Sequence, residues 1–220
     1  FPGSNCDRDM DVALKKFGFN NKMVWHDNVE LPKSDLVVLP GGFSYGDYLR
    51  CGSMASKSKI MKSVINFANS GGMVMGICNG FQILVETGLV PGVLLRNKYL
   101  EFICKNVFIK ISDKKNAYFK NIENEVLEFH IAHNEGNYFC TNDQLKEIED
   151  NEQVAINYCD KDGKTAEQFN PNGSIKNIAG IFNKKKNVLG MMPHPERMID
   201  PSLSGEDGSL FFKNLINNLK

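Results

Sequence analysis

The sequence lacks the features that mark membrane proteins, nucleic-acid-binding proteins and P-loop nucleotide-binding proteins. No apolar run approaches the roughly 20 residues that a membrane-spanning helix needs, and no signal peptide is visible. Neither sign of charge is in excess, because 26 Lys and Arg residues balance 26 Asp and Glu residues. The net charge therefore indicates no nucleic-acid or membrane partner. A phosphate-binding motif of the form G-x-x-x-x-G-K-[ST] is also absent.

Cysteine is present, but without the spacing of a disulfide framework or a metal site. The six cysteines form no C-x-x-C pair and have no histidine at a zinc-like spacing. Disulfides are unusual in a chain of this length without a secretion signal, so we expect reduced thiols, a cytoplasmic location and no bound metal. The cysteines are Cys6, Cys51, Cys78, Cys104, Cys140 and Cys159.

Length and composition are those of one globular domain. The 220 residues are 42% hydrophobic and 24% charged, which is ample for a sizeable core. We find no repeat, low-complexity tract or linker, and we expect residues 1–220 to form a single domain. The chain begins in a loop, residues 1–5 (FPGSN). An α/β unit normally has a strand before such a loop, so we expect a short N-terminal strand to be missing.

The N-terminal half alternates between strand and helix patterns. Apolar residues recur every three to four positions over residues 7–17 and 60–68, which predicts helices. Short apolar runs over residues 22–25, 36–39 and 73–75 predict strands. Such alternation is typical of a doubly wound, mostly parallel sheet with flanking helices, so we expect an α/β fold.

The second half has a different pattern. Residues 101–111 and 126–133 read as strands with no long helix between them, which predicts an added antiparallel segment. Residues 178–182 and 188–191 predict a hairpin.

The most informative stretch is residues 73–82 (MVMGICNGFQ), in which an apolar strand enters a glycine-flanked turn and a helical pattern follows. Cys78 stands at the apex of that turn. Hydrolases with a G-x-S-x-G motif hold a nucleophilic serine in the same arrangement, because small residues let two chain segments pass closely. The helix N-terminus favours a thiolate, and the N–H of Asn79 can bind an oxyanion. A small buried hydrophobe in a tight turn is the alternative.

A nucleophilic cysteine needs a base, and one of the four histidines is suitably placed. His194 follows the apolar strand over residues 188–191, and a proline on each side biases the segment towards extended geometry. His194 and Glu196 then point the same way, so the carboxylate can accept the imidazole N–H and fix its tautomer. His130 and His133 face opposite sides of a predicted strand and cannot form such a pair. The pattern favours a Cys–His–Glu triad over a purely structural His–Glu pair.

These residues carry a resemblance to a known family. Residues 76–82 (GICNGFQ) with residues 194–196 (HPE) resemble the class I, triad-type glutamine amidotransferases. Three further blocks narrow the resemblance: residues 1–9 (FPGSNCDRD), 40–50 (PGGFSYGDYLR) and 132–138 (AHNEGNY). They are similar to the glutaminase subunits of phosphoribosylformylglycinamidine synthases, which act at the fourth step of purine biosynthesis. The likeness covers essentially the whole chain.

The resemblance implies a role for each matching residue. Cys78 is expected to attack the side-chain amide of glutamine, His194 to transfer protons and Glu196 to orient His194. The N–H of Gly42, with Phe43 as an alternative, is expected to complete an oxyanion hole with the N–H of Asn79. The residues expected to hold the bound glutamine, with a structural role left open for Glu135, are Gln82, His133, Glu135, Gly136 and Asn137.

The resemblance also implies partners. Ammonia is expected to pass to a large synthetase subunit that binds ATP and Mg²⁺, with a small third subunit in bacterial systems and no cofactor in this chain. Two departures stand out: the family's first strand is absent, and Asn134 replaces a usual glycine. We expect the loop to keep its conformation because Asn tolerates left-handed backbone.

Three alternatives remain open at this stage. One is a triad amidotransferase feeding GMP, CTP, histidine or anthranilate synthesis, against which the specific blocks argue. Another is a cysteine peptidase or γ-glutamyl hydrolase that acts on the same fold without a synthetase. The last is a non-catalytic interaction subunit, which the intact triad disfavours.

Overall fold

One seven-stranded sheet organises the computed structural model, which describes residues 1–219. The strands are β1 Leu36–Leu39, β2 Met73–Ile77, β3 Val93–Leu95, β4 Ile103–Ile111, β5 Val126–His133, β6 Asn137–Phe139, β7 Val154–Cys159, β8 Ile178–Phe182 and β9 Val188–Met191. The helices are α1 Asp7–Lys16, α2 Lys59–Asn69, α3 Asn79–Glu86, α4 Asn142–Asp150 and α5 Asp207–Asn218. The sheet order is β1-β2-β9-β8-β7-β4-β5, and β3 pairs with β6 in a separate two-stranded sheet.

The sheet has a parallel side and an antiparallel side. β1, β2 and β9 are parallel neighbours, whereas the pairings from β9 through β8, β7 and β4 to β5 are all antiparallel. The predicted α/β class, the added antiparallel segment and the hairpin of β8 and β9 are confirmed. The antiparallel segment is larger than the sequence indicated, because it continues the main sheet and supplies most of its pairings.

Local sequence explains most of these elements. Helix α2 buries Ile60, Val64 and Ala68, which recur at helical spacing on one face. Strand β2 is buried from Val74 onwards, as expected of an interior strand covered on both faces. The strand predicted over residues 22–25 is wrong: this segment forms no ladder, and Trp25 is more than half exposed.

The parallel strands bring the functional segments together. Leu39 pairs with Gly76, and Ile77 pairs with Met191, so β1, β2 and β9 end at the same edge of the sheet. Three segments leave that edge: the glycine-rich loop after β1, the turn before α3 and the His194 segment after β9. Helix α3 approaches β1 so closely that a Cβ on Gly80 would lie 1.9 Å from the carbonyl oxygen of Leu39. Ligands of open α/β sheets bind at such an edge.

Candidate active site

Cys78 occupies the apex of a sharp turn between β2 and α3, as the sequence predicts. Its backbone lies at φ 50° and ψ −106°, a conformation that an L-residue holds only under constraint. The constraint is visible: the N–H of Cys78 donates to the carbonyl oxygen of Met191 over 2.8 Å. A Cβ on Gly76 would lie 2.6 Å from the carbonyl oxygen of Gly80, so the turn closes only with glycine there. The side chain is thus fixed at the start of α3.

His194 and Glu196 form a buried pair. The Nδ1 atom of His194 lies 2.5 Å from Oε1 of Glu196, and the two residues are 1% and 3% exposed. The backbone N–H of His194 donates to the carbonyl oxygen of His130, which ties this segment to β5. The extended geometry expected beyond His194 is wrong, because residues Pro195–Arg197 form a single 3₁₀ turn. The turn still brings the carboxylate back onto the imidazole.

The charges at the site favour a protonated imidazole. Burial by itself lowers the pKa of His194, but the negative charge of Glu196 and that of the Cys78 thiolate outweigh it and raise the pKa to about 10. Nε2 of His194 has no hydrogen-bond partner among the described residues. A Cβ on Gly41 would lie 2.8 Å from Cε1 of His194, so the glycine-rich loop rests directly on the ring.

The hydrogen bonds of the glycine-rich loop after β1 show which of its backbone N–H groups has no partner. The N–H of Phe43 donates to the carbonyl oxygen of Gly3 over 2.9 Å. Within residues 1–219, no hydrogen bond uses the N–H of Gly42 or that of Asn79. Gly42 has φ +125°, and a Cβ there would lie 2.5 Å from the backbone nitrogen of Asn5. Of the two expected loop amides, that of Gly42 is the available one.

A chain of amides runs from the turn to the loop between β5 and β6. Nδ2 of Asn79 donates to Oε1 of Gln82 over 2.9 Å, and Nε2 of Gln82 donates to the carbonyl oxygen of Glu135 over 2.7 Å. The Glu135 carboxylate is partly exposed and lies 3.8 Å from Nε of Arg96. Gln82 and Glu135 are thus brought together next to the Cys78 turn.

His133 is buried beneath that loop. Its Nδ1 donates to Oδ1 of Asn97 over 3.1 Å, and the same oxygen accepts the N–H of Gly136. A Cβ on Gly136 would lie 2.4 Å from the His133 ring, which explains the glycine. Burial and the nearby His194 lower the pKa of His133 to about 4, so its ring is neutral near pH 7. Nε2 of His133 has no partner in the described chain.

Two other residues of this loop, Asn134 and Asn137, contact the segment that contains Arg96 and Asn97. Asn134 is not among the residues with positive φ, so tolerance of left-handed backbone is not what preserves the loop. Its carbonyl oxygen instead accepts the N–H of Asn97. The side chain of Asn137 is directed to the carbonyl oxygen of Arg96, at 3.4 Å.

Sequence reasoning missed two residues that support the site. Asn97, only 1% exposed, holds both His133 and Gly136, but it stands in no motif and nothing in its neighbourhood signals the role. Arg197 donates from Nη2 to Sγ of Cys6 over 3.1 Å, and its positive charge interacts with the negative charge of Glu196. Its position next to the H-P-E motif was the one available signal. Burial raises the pKa of Cys6 to about 11, so this second thiol stays protonated.

The described residues contain neither a metal-binding constellation nor a membrane-length helix. Within residues 1–219, no group of three or more His, Cys, Asp or Glu side chains is arranged to hold a metal ion. No helix in that range is long and apolar enough to cross a membrane.

Sequence comparisons relate the chain to glutamine amidotransferases. The family model described as the CobB/CobQ-like glutamine amidotransferase domain matches residues 1–205. Phosphoribosylformylglycinamidine synthase subunit PurQ of Pelagibacter ubique is 80% identical over 220 residues, covering 100% of this chain and 97% of that protein. The PurQ subunit of a Synechocystis species is 50% identical over 214 residues, covering 96% of each chain.

Structural comparisons agree with the sequence comparisons. The structure of PurLQS from Thermotoga maritima matches with a TM-score of 0.87 and 40% identity, covering 100% of this chain and 96% of that chain. A glutamine amidotransferase from Thermotoga maritima matches with a TM-score of 0.62 and 16% identity, covering 96% of this chain and 91% of that one. The second likeness concerns the fold alone.

Proposed function

The chain belongs to the family of CobB/CobQ-like glutamine amidotransferase domains, and from that premise we propose how its site works. It is the glutaminase subunit of a phosphoribosylformylglycinamidine synthase, an enzyme of purine biosynthesis, as its 80% identity to a PurQ subunit over the full chain supports. The observation that carries the mechanism is the buried His194–Glu196 pair beside the strained Cys78 turn.

Cys78 is the nucleophile in this proposal. Its thiolate attacks the side-chain amide carbon of glutamine, and the carbonyl oxygen becomes an oxyanion in a tetrahedral intermediate. The imidazolium of His194 gives its proton to the amide nitrogen, the C–N bond breaks, and ammonia leaves a thioester on Cys78. The neutral imidazole then takes a proton from water, which attacks the thioester. Collapse of that second intermediate releases glutamate and restores the thiolate–imidazolium pair.

Glu196 acts through His194 rather than on the substrate. Its carboxylate accepts the Nδ1–H, with 2.5 Å between Nδ1 and Oε1, which leaves Nε2 to exchange protons at the reacting atoms. The negative charge also stabilises the imidazolium, in keeping with the raised pKa of His194. Removal of that charge should therefore lower kcat more than it changes KM.

The oxyanion is bound by the N–H groups of Gly42 and Asn79. Neither group has a partner within residues 1–219, and that of Asn79 opens helix α3, where the dipole favours negative charge. Loss of one such donor typically costs about 10²–10³ in rate. The proposal favours Gly42 over Phe43, whose N–H is already bonded to Gly3.

Glutamine lies against the segment formed by α3 and the loop between β5 and β6. Gln82 and the backbone of Glu135 are joined at 2.7 Å and form one wall. His133 and Gly136 shape the loop from within, and Asn137 closes its far end. A structural role for the Glu135 carboxylate is compatible with its contact to Arg96.

The subunit supplies ammonia to a synthetase. The match to PurLQS of Thermotoga maritima supports assembly with synthetase subunits. We propose that the large partner binds ATP, Mg²⁺ and formylglycinamide ribonucleotide and carries out the ligase reaction, that a small third subunit joins the complex, and that this chain needs no cofactor of its own. The assembly is proposed to work in the cytoplasm.

The experiment measures glutamate release by the isolated subunit, by the subunit with its large partner, and by the complex with nucleotide substrate and ATP. We expect low activity alone and a rise of at least tenfold in the full complex, with Cys78→Ala inactive throughout. A stand-alone γ-glutamyl hydrolase would show full activity alone, unchanged by any partner. A non-catalytic subunit would release no glutamate under any condition.

A further inference from the structure

The side chain of Asn79 connects the nucleophile turn to the glycine-rich loop. Asn79 is 0% exposed and directly follows Cys78. Its Oδ1 accepts the backbone N–H of Ser44 over 3.1 Å, while its Nδ2 donates to Gln82 over 2.9 Å and lies 3.4 Å from Oδ1 of Asp47. The oxygen and the nitrogen of this one side-chain amide therefore make contacts in both segments that carry an oxyanion donor, the glycine-rich loop and helix α3.

The backbone N–H groups on either side of Ser44 bond to the first segment of the chain. The N–H groups of Phe43 and Tyr45 donate to the carbonyl oxygens of Gly3 and Pro2, in the first segment of the chain. Only the intervening N–H, that of Ser44, reaches helix α3. The hydroxyl of Ser44 is buried and has no hydrogen-bond partner in residues 1–219, so it adds no second connection.

We infer that the Asn79 side chain is a positioning group, which holds the Gly42 N–H in register with the Asn79 N–H so that both can bind one oxyanion. The inference rests on the proposed glutaminase function. Gly42 lies two residues before Ser44, and its own N–H makes no bond that could fix it. The Ser44–Asn79 bond therefore sets where the loop amide stands relative to Cys78.

The chemistry of the position explains why asparagine suits it. The backbone N–H of residue 79 would be kept by any side chain except proline, so that donor alone does not select Asn. The Ser44 N–H needs an acceptor and Gln82 Oε1 needs a donor, and a buried polar group left unpaired is costly. The planar amide of asparagine offers both an acceptor oxygen and a donor N–H at a fixed separation.

The test compares Asn79→Leu, Asn79→Ala and the wild-type protein, each assembled with the large partner. Both variants keep the residue 79 N–H but lose the side-chain bonds to Ser44 and Gln82. We expect kcat for glutamine hydrolysis to fall by about ten- to a hundredfold, while KM changes less than threefold, as for a group that acts on the transition state. The rate of Cys78 alkylation by iodoacetamide should change less than twofold, because that reaction forms no oxyanion.

A matched control comes from the same loop. Tyr45→Phe removes hydrogen bonds from Tyr45 to His26 and Ser58, neither of which belongs to α3, and should leave kcat within twofold of wild type. Unchanged kcat in both Asn79 variants would overturn the inference. So would loss of folding in both, or a parallel fall in alkylation, since the bond would then be structural. An inactive wild-type complex would instead overturn the proposed function itself.

Discussion

The imidazole of His194 and the carboxylate of Glu196 lie 2.5 Å apart and are both almost wholly buried, although only one residue separates them along the chain. A strand would place the two side chains on one face, yet the contact forms through a 3₁₀ turn over Pro195–Arg197. This pairing gives His194 its raised pKa and makes it the acid of the proposed reaction.

Replacement of Glu196 by Gln should separate orientation from charge. The variant keeps size and hydrogen bonding, but it lowers the pKa of His194 from its value near 10 because the negative charge is lost. We expect kcat to fall by roughly 10²–10⁴-fold with KM within threefold. Steady-state kinetics of the assembled complex check this. Unchanged turnover would mean that something other than Glu196 orients His194.

The pairing also illustrates what sequence alone supports. The strand, turn and helix around Cys78 and the approach of His194 were predicted because short motifs report local geometry and because parallel strands end at one edge. The 3₁₀ turn was missed because Pro195 suits the first position of a helical turn as well as an extended segment. Nothing local distinguishes these two outcomes.

Contacts between distant segments were beyond sequence reasoning. The bond from Ser44 to Asn79 spans 35 positions, and Asn97 supports His133 from 36 positions away. Asn79 was noticed for its N–H alone, because the motif reports a backbone position. The strand prediction over residues 22–25 is wrong for a related reason: a strand needs a pairing partner, and the residues of the segment do not reveal whether one exists.

Labelling with a glutamine-like electrophile, such as diazo-oxo-norleucine, should modify Cys78 alone. The analogue binds where glutamine binds, whereas Cys104 is the exposed cysteine that a general reagent meets first. Peptide mass spectrometry of the assembled complex should show one label per subunit at Cys78. Cys104→Ala should leave the label in place and Cys78→Ala should abolish it. Stoichiometric labelling at any other cysteine contradicts the assignment.

His133 should make the protein less stable in mild acid. Its folded pKa is about 4, against an ordinary 6.5, so below pH 6.5 the unfolded chain gains a proton that the folded chain excludes. Stability is then lost as the pH falls from 6.5 towards 4, by about 2 kcal/mol between pH 7 and pH 5. Urea unfolding at both pH values should show this loss in the wild type and a smaller one in His133→Gln. An equal loss in both proteins would contradict the buried neutral histidine.

His194 acts in the opposite pH range. Its folded pKa is raised above the ordinary 6.5, so its contribution is fully present below pH 6.5 and is lost as the pH rises towards 10. In Glu196→Gln this alkaline loss should be smaller and should be complete at a lower pH, because the folded pKa lies closer to 6.5. Urea unfolding at pH 7 and pH 9 measures it, and an identical alkaline profile in both proteins would argue against Glu196 as the source of the raised pKa.

The most direct test of the account uses the complex of the Cys78→Ala subunit with its synthetase partner. This chain is taken to supply ammonia and the partner to carry out the synthesis, so the variant complex should make no formylglycinamidine ribonucleotide from glutamine. Given a high concentration of free ammonia, the same complex should form product at a rate within threefold of the wild-type complex. Product from glutamine by the variant, or failure of wild-type and variant complexes alike to use ammonia, would contradict the account.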